Sequence, residues 1–429
     1  MTKRVLSVII ACFVLIAFAG CSQQAPSSSS TQQSATSATA ASAAPKAPVE
    51  LSVWIGSWWD QKAPDIKKEF EKAYPQYKVK IDCLPINGYF DNAASAIMAG
   101  SPPDVLDLDV TQVSTFAAKN LLTDLTADVE SKLKGDDFIK GAWQASHYNG
   151  KLYGMPSRAS GATYYYNKKM FDDAKVPYPK EGWTYDDLLD AAKKITVPGQ
   201  KYGVGIAADL SDPSNVMTSF SPVLWANGGD YLNSDNTKCT MDQPNAIKAI
   251  TFWTELYTKY KVVPEGSLNY TISRDVVPLL ANNQVAMLPF GVSGIDTFSK
   301  TPGLQWDIVI PPSGFNRGGG WTLTVPVSAK HKKEANDYLL WFAKPEVQAP
   351  LCATEPSVIS AWKLNAPWNT PMYQTVLKAA MTGKLLPSIG KWGEAQTIII
   401  KELQKTLQGA QTPEQAGKNM TVQIDPLLK

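Results

Sequence analysis

The decapeptide LSVWIGSWWD at residues 51–60 reads as a strand that runs straight into a turn. Leu51, Val53 and Ile55 alternate with Ser52 and Trp54, the period of a half-buried strand. Gly56 and Ser57 end the run, and two adjacent tryptophans follow. Further on, Ile66, Phe70 and Ala73 recur at helical spacing over 63–74, and Pro75 stops that helix. A strand over 77–83, a helix over 89–98, the breaker Pro102-Pro103 and an apolar strand over 104–108 complete a β-α-β-α-β run. Strands alternating with helices across short connections predict an α/β fold on a parallel sheet. In such sheets ligands sit beyond the carboxyl ends of the strands. Residues 56–60 and 107–109 therefore fall at the edge of a site.

A second α/β series begins near residue 160. ATYYY at 162–166 is strand-like, and Thr184 opens a helix with Asp186 and Asp187 in its first turn and Lys193 and Lys194 in its last, matching the helix dipole. A helix over 246–260, strands over 285–289 and 306–310, and the run GGGWTLTVPV at 318–327 follow. The C-terminal third reads as helices over 332–342, 373–381, 395–407 and from Pro413.

The chain has 429 residues, enough for two or three domains, and 41 Lys+Arg against 39 Asp+Glu. Its first 20 residues hold Lys3 and Arg4 and no acidic residue, so without them the charges cancel. Such a balance leaves no electrostatic footprint for nucleic acid or an anionic membrane surface. Two histidines, His147 and His331, and five scattered cysteines argue against a metal centre or a Cys-His nucleophile. No P-loop, G-x-S-x-G or H-E-x-x-H occurs, so no cofactor is expected. What the composition does offer is 13 Trp and 17 Tyr.

The N-terminus, MTKRVLSVIIACFVLIAFAGC, has a basic start, an apolar run and small residues before Cys21, the layout of a secretory signal over 1–20. Its end resembles a bacterial lipobox, with Phe18 where that motif usually has leucine; the resemblance implies acylation of Cys21. Residues 21–49 are rich in Ser, Ala, Thr and Gln, a composition that cannot bury a core and suits a tether. The reading is a bacterial protein outside the cytoplasm, anchored to the membrane and not spanning it. Of the remaining cysteines, Cys83, Cys239 and Cys352, either one disulfide or three thiols is possible.

YYNKKMF at 165–171 resembles a segment of the extracellular solute-binding proteins of ABC transporters, in the family that includes the maltose-binding protein. GWTYDDL (182–188), WANGGD (225–230), AMLPFG (286–291), GGWTLTV (319–325), KEA (333–335) and PEVQ (345–348) follow in the family's order. The resemblance covers about 50–429. It implies two α/β lobes, 50–157 plus 325–357 and 162–320 plus 362–429, joined by three hinge crossovers near 157–161, 321–325 and 357–362. It implies a monomeric, non-catalytic trap that closes on a carbohydrate and hands it to the membrane subunits of an importer.

A sugar presents flat C–H faces, which stack on aromatic rings, and edge hydroxyls, which need oriented polar partners. Trp58 and Trp59 directly follow the first strand, and one of the two is expected to meet ligand. Asp60 and Asp109 are candidate hydroxyl acceptors, although Asp109 also suits a helix cap before Thr111. Arg158 and Ser160 lie on the first crossover. Trp225 would stack from the second lobe. Gly291 lets a ligand approach the backbone closely, with Ser293 beside it. On the family pattern, Gly320 and Trp321 line the cleft at the second crossover, and Trp392 is the stacking residue before the long C-terminal helix. The Tyr164–Tyr166 run alternates faces and is expected to pack. Competing readings are a solute-binding protein for a peptide, polyamine or metal, and a glycoside hydrolase with paired carboxylates.

Overall fold

The computed structural model describes residues 47–429; the leader, Cys21 and most of the tether lie outside the described residues. Eleven strands are present in the described chain: β1 (Val49–Gly56), β2 (Tyr77–Leu84), β3 (Val105–Asp109), β4 (His147–Tyr148), β5 (Lys151–Leu152), β6 (Gly154–Gly161), β7 (Thr163–Asn167), β8 (Tyr202–Val204), β9 (Val285–Phe290), β10 (Trp306–Val309) and β11 (Gly318–Thr324).

The first sheet has the order β2-β1-β3-β11-β6 and the second β10-β7-β9-β8. β1 pairs in parallel with β2 and β3, as the alternation of strand and helix requires. The sheet is nevertheless mixed, because β11 returns antiparallel to both β3 and β6. The sequence series 51–108 could not reveal this, since the inserted strand comes from more than two hundred residues later. β11 belongs to the first sheet over its whole length from Gly318.

Local signals explain the helices. Thr184 and Asp187 form a reciprocal capping box at the start of Tyr185–Ile195, with Lys193 and Lys194 in its last turn. Pro213, Pro244, Pro371 and Pro413 each occupy a first helical turn, where the missing N–H costs nothing. Tyr165 packs with Phe298 and Trp306, whereas Tyr164 and Tyr166 join a separate core with Trp183 and Phe171. That split follows from alternation along β7. Cys83, Cys239 and Cys352 are all free thiols. No helix among the described residues is long and apolar enough to cross a membrane.

Candidate functional site

Register builds the site. Trp321 on β11 lies opposite Asp109 at the end of β3 and opposite Arg158 on β6. Residues opposed across a sheet point to one face, so these three side chains form a row. Trp58 joins them from the turn after β1. Its ring centroid is 4.3 Å from that of Trp321, edge to face. The guanidinium of Arg158 lies 5.2 Å from the Trp58 ring centre and 5.3 Å from that of Trp321. Phe90 and Tyr89 close the far side of Trp321, leaving that indole 7% exposed. Trp321 is thus the backing and Trp58 the presented ring. Gly56 makes room for it: a Cβ there would meet the Trp58 ring at 2.1 Å.

The two adjacent tryptophans divide the work. Trp59 is buried, packs edge-on against Phe342 and donates from Nε1 to Asp107 Oδ2 at 3.0 Å. Ser157 Oγ donates to the other oxygen of Asp107 at 2.8 Å. A register shift between β11 and β6 at this point skips Ser157 in the ladder and aims it at Asp107. Burial raises the Asp107 carboxyl to about 6, against the lowering pull of the Ser157 and Trp59 hydrogen bonds and of Arg158.

Arg158 also donates to Thr354 Oγ1 at 3.2 Å, and its Nε is buried without a protein partner. Beside it Glu355 is buried; burial raises its pKa and Arg158 partly restores the charge. Next to this cluster is a cavity of about 690 Å³. Trp58, Gln61 and Thr354 line one side, Ser293 and Thr297 the other, and Tyr373 and Trp368 complete the wall. Ser293 is exposed, and a Cβ on Gly291 would meet nothing within 4 Å, so the backbone there is open to a close approach.

Other expected residues have different surroundings. Asp60 is exposed and turned towards Cys83, whose thiol burial and Asp60 together push up to about 12. Asp109 is a helix cap, accepting from Thr111 N at 2.9 Å and Thr111 Oγ1 at 2.7 Å. Its second oxygen remains for Arg317 Nη2, 4.0 Å away. Ser160 is half-buried on β6 opposite Gly319. Gly320 serves the backbone: at φ 145° a Cβ would lie 2.0 Å from the Arg158 carbonyl. Trp225 is buried, donates to Asp230 Oδ1 at 3.2 Å, and has Lys384 Nζ 5.3 Å from its ring centre. Trp392 is 1% exposed, packed edge-on against Tyr231 in the second core, so its ring offers no face to a ligand.

The sequence reading missed Arg317, Lys384, Thr354 and Tyr373. Arg317 is the most instructive. It donates from Nη1 to Ser214 Oγ at 2.8 Å at the start of helix Pro213–Ala226, faces Asp109 of the first sheet, and keeps a buried Nε without a partner. Only its place beside the Gly318–Gly320 run could have drawn attention to it. Among the described residues no cluster of His, Cys, Asp or Glu could hold a metal ion.

Two sheet-based bodies connected through β6 and β11, with an aromatic and polar cavity at their junction, define a periplasmic-binding-protein fold of the type seen in MalE. The chain belongs to the bacterial extracellular solute-binding protein family, whose model matches residues 27–349. Members of this family are non-catalytic. Among solved structures, an ABC substrate-binding protein of Listeria monocytogenes in complex with cycloalternan is 27% identical, with TM-score 0.77 over 89% of this chain and 99% of that one. The sugar-binding protein MalE of Xanthomonas citri shares the fold at 19% identity, with TM-score 0.78 over 89% of this chain and 97% of that one. The diacetylchitobiose-binding protein of Streptomyces coelicolor is 24% identical over 88% of this chain and 89% of its own.

Proposed function

We propose that the chain captures an oligosaccharide outside the cytoplasm and delivers it to an ABC importer. The observation that carries the reading is Arg158, held over two indoles at a cavity whose walls combine aromatic rings with hydroxyl and amide groups. Rings match the apolar faces of a sugar, and the planar guanidinium with its free Nε matches hydroxyl edges. Relatives named for diacetylchitobiose, arabinooligosaccharides and galactooligosaccharides support that class of guest. Binding would favour the closed arrangement of the two bodies, which the importer then recognises.

The test is a thermal-shift screen across neutral mono- and oligosaccharides, peptides and polyamines, followed by calorimetry. A native-state ligand raises the apparent melting temperature by mass action. An oligosaccharide is expected to give the largest shift and to stay intact on prolonged incubation. A shift confined to peptides or polyamines would replace this reading with a non-sugar one.

Lipid attachment at Cys21 belongs to the same proposal and is supported by a relative from Streptomyces antibioticus called a lipoprotein, 24% identical over 349 residues. Cys21→Ser should move the protein from the membrane fraction to the soluble fraction of bacterial cells. Retention in the membrane fraction would exclude the anchor.

A further inference from the structure

The cavity of about 690 Å³ carries one cation and one anion among its described lining residues, and they come from different bodies. Lys62 stands between β1 and β2, at the start of helix Ala63–Ala73, in the first. Asp296 sits in helix Ser293–Ser299, which follows β9 of the second sheet. Neither is firmly engaged. Lys62 Nζ donates to the Pro350 carbonyl at 2.9 Å, and no carboxylate among the described residues pairs with it. Asp296 pairs with Lys300 one helical turn on, at 2.8 Å, but the two side chains are 70% and 71% exposed. An exposed pair of this kind contributes little, so Asp296 can change partner at small cost. Lys62 need not change: an ammonium has three donors, and the Pro350 carbonyl takes one.

The Asp296 charge already acts on the same space. Burial chiefly raises the pKa of the Tyr373 hydroxyl on the cavity wall, and the charges of Glu355 and then Asp296 add to the shift. Attraction between opposite charges grows as their separation shrinks and as water leaves the space between them. Drawing the two bodies together does both. Asp296 faces solvent, so pairing it avoids the full dehydration that makes deeply buried ion pairs costly.

We propose that Lys62 and Asp296 form an ion pair across the cavity when the two bodies close on a guest, and that this latch slows the guest's release. This rests on the oligosaccharide reading above, which supplies the closure. The test takes neutral di- to tetrasaccharides of glucose, galactose and arabinose, and measures the release rate of those that bind the full chain. Lys62→Met and Asp296→Asn are each expected to speed release about fivefold, and the two together no more than about fivefold, because both break one contact. Lys62→Asp alone sets two carboxylates across the cavity and should speed release more than Lys62→Met does. Adding Asp296→Lys to it restores opposite charges, and release should return to within about twofold of wild type. Single effects that multiply in the double variant, or a charge exchange that restores nothing, would show that each residue acts separately and overturn the latch. Release unchanged in both single variants overturns it as well. In each of these cases sugar capture stands. If none of the sugars binds wild type, the oligosaccharide reading fails and the latch fails with it.

Discussion

Arg158→Met is expected to weaken oligosaccharide binding about a hundredfold, roughly 2.7 kcal/mol by affinity arithmetic. Methionine keeps much of the side-chain length and removes the charge and every donor. Two contributions disappear together. The guanidinium lies over Trp58 and Trp321, and each cation–π contact contributes about 0.5–2 kcal/mol. Its Nε is a donor with no protein acceptor, and a hydrogen bond from a charged donor contributes about 1.5–3 kcal/mol. Glu355 would lose the neighbour that favours its ionised form, so its carboxyl would move further towards the protonated state. Arg158→Lys should recover less than tenfold, because an ammonium lacks the planar fork that spans both rings and Thr354. Calorimetric titration of the three proteins decides. Equal affinity for wild type and the methionine variant would take Arg158 out of the site.

How far the residues announce this arrangement depends on the range of the interaction. The β-α-β-α-β run was legible because alternation, helical spacing and proline stops are local. The division between Trp58 and Trp59 was half legible: two adjacent tryptophans after a strand cannot both point into the cleft, but nothing local says which one does. The answer lies in Asp107, which anchors Trp59, and in Gly56, which accommodates the ring of Trp58. Arg317 and Lys384 were not legible, because their partners Asp109 and Asp230 come from distant segments. Trp392 is a different case. Its role was taken from family position, yet Trp392, Ala395, Ile399 and Leu403 are all buried on one stripe of helix Trp392–Leu407. That spacing was in the sequence, and it marks Trp392 as part of the packed face.

Asp107→Asn is expected to change how stability depends on pH, by about 1 kcal/mol between pH 5 and pH 7. The carboxyl is enclosed, and burial raises it from 3.8 to about 6. The groups around it are Arg158, Asp109, Tyr338, Cys352 and Tyr89, whose hydroxyl donates to the Asp107 backbone carbonyl at 2.8 Å. An acid whose folded pKa lies above its unfolded value binds its proton more tightly in the native state. Its stabilising contribution is therefore whole below the unfolded value of 3.8 and is lost as pH rises through about 6. Asparagine has no proton to exchange. Relative to the variant, the wild type should gain about 1 kcal/mol on going from pH 7 to pH 5, read from urea midpoints, while titrations common to both cancel in the difference. The amide also turns a donor towards Trp59 Nε1 or Ser157 Oγ, where the carboxylate offers two acceptors. One buried donor is then left unsatisfied, a penalty of about 1–3 kcal/mol. Trp59 and Ser157 are the chain neighbours of Trp58 and Arg158, so loosening either one shifts a side chain that meets the ligand. Ligand affinity should accordingly fall in the variant at pH 7, where the wild-type carboxylate is ionised. A stability difference that is the same at pH 5 and pH 7 would show that Asp107 does not titrate between them, and unchanged affinity would sever it from the cleft.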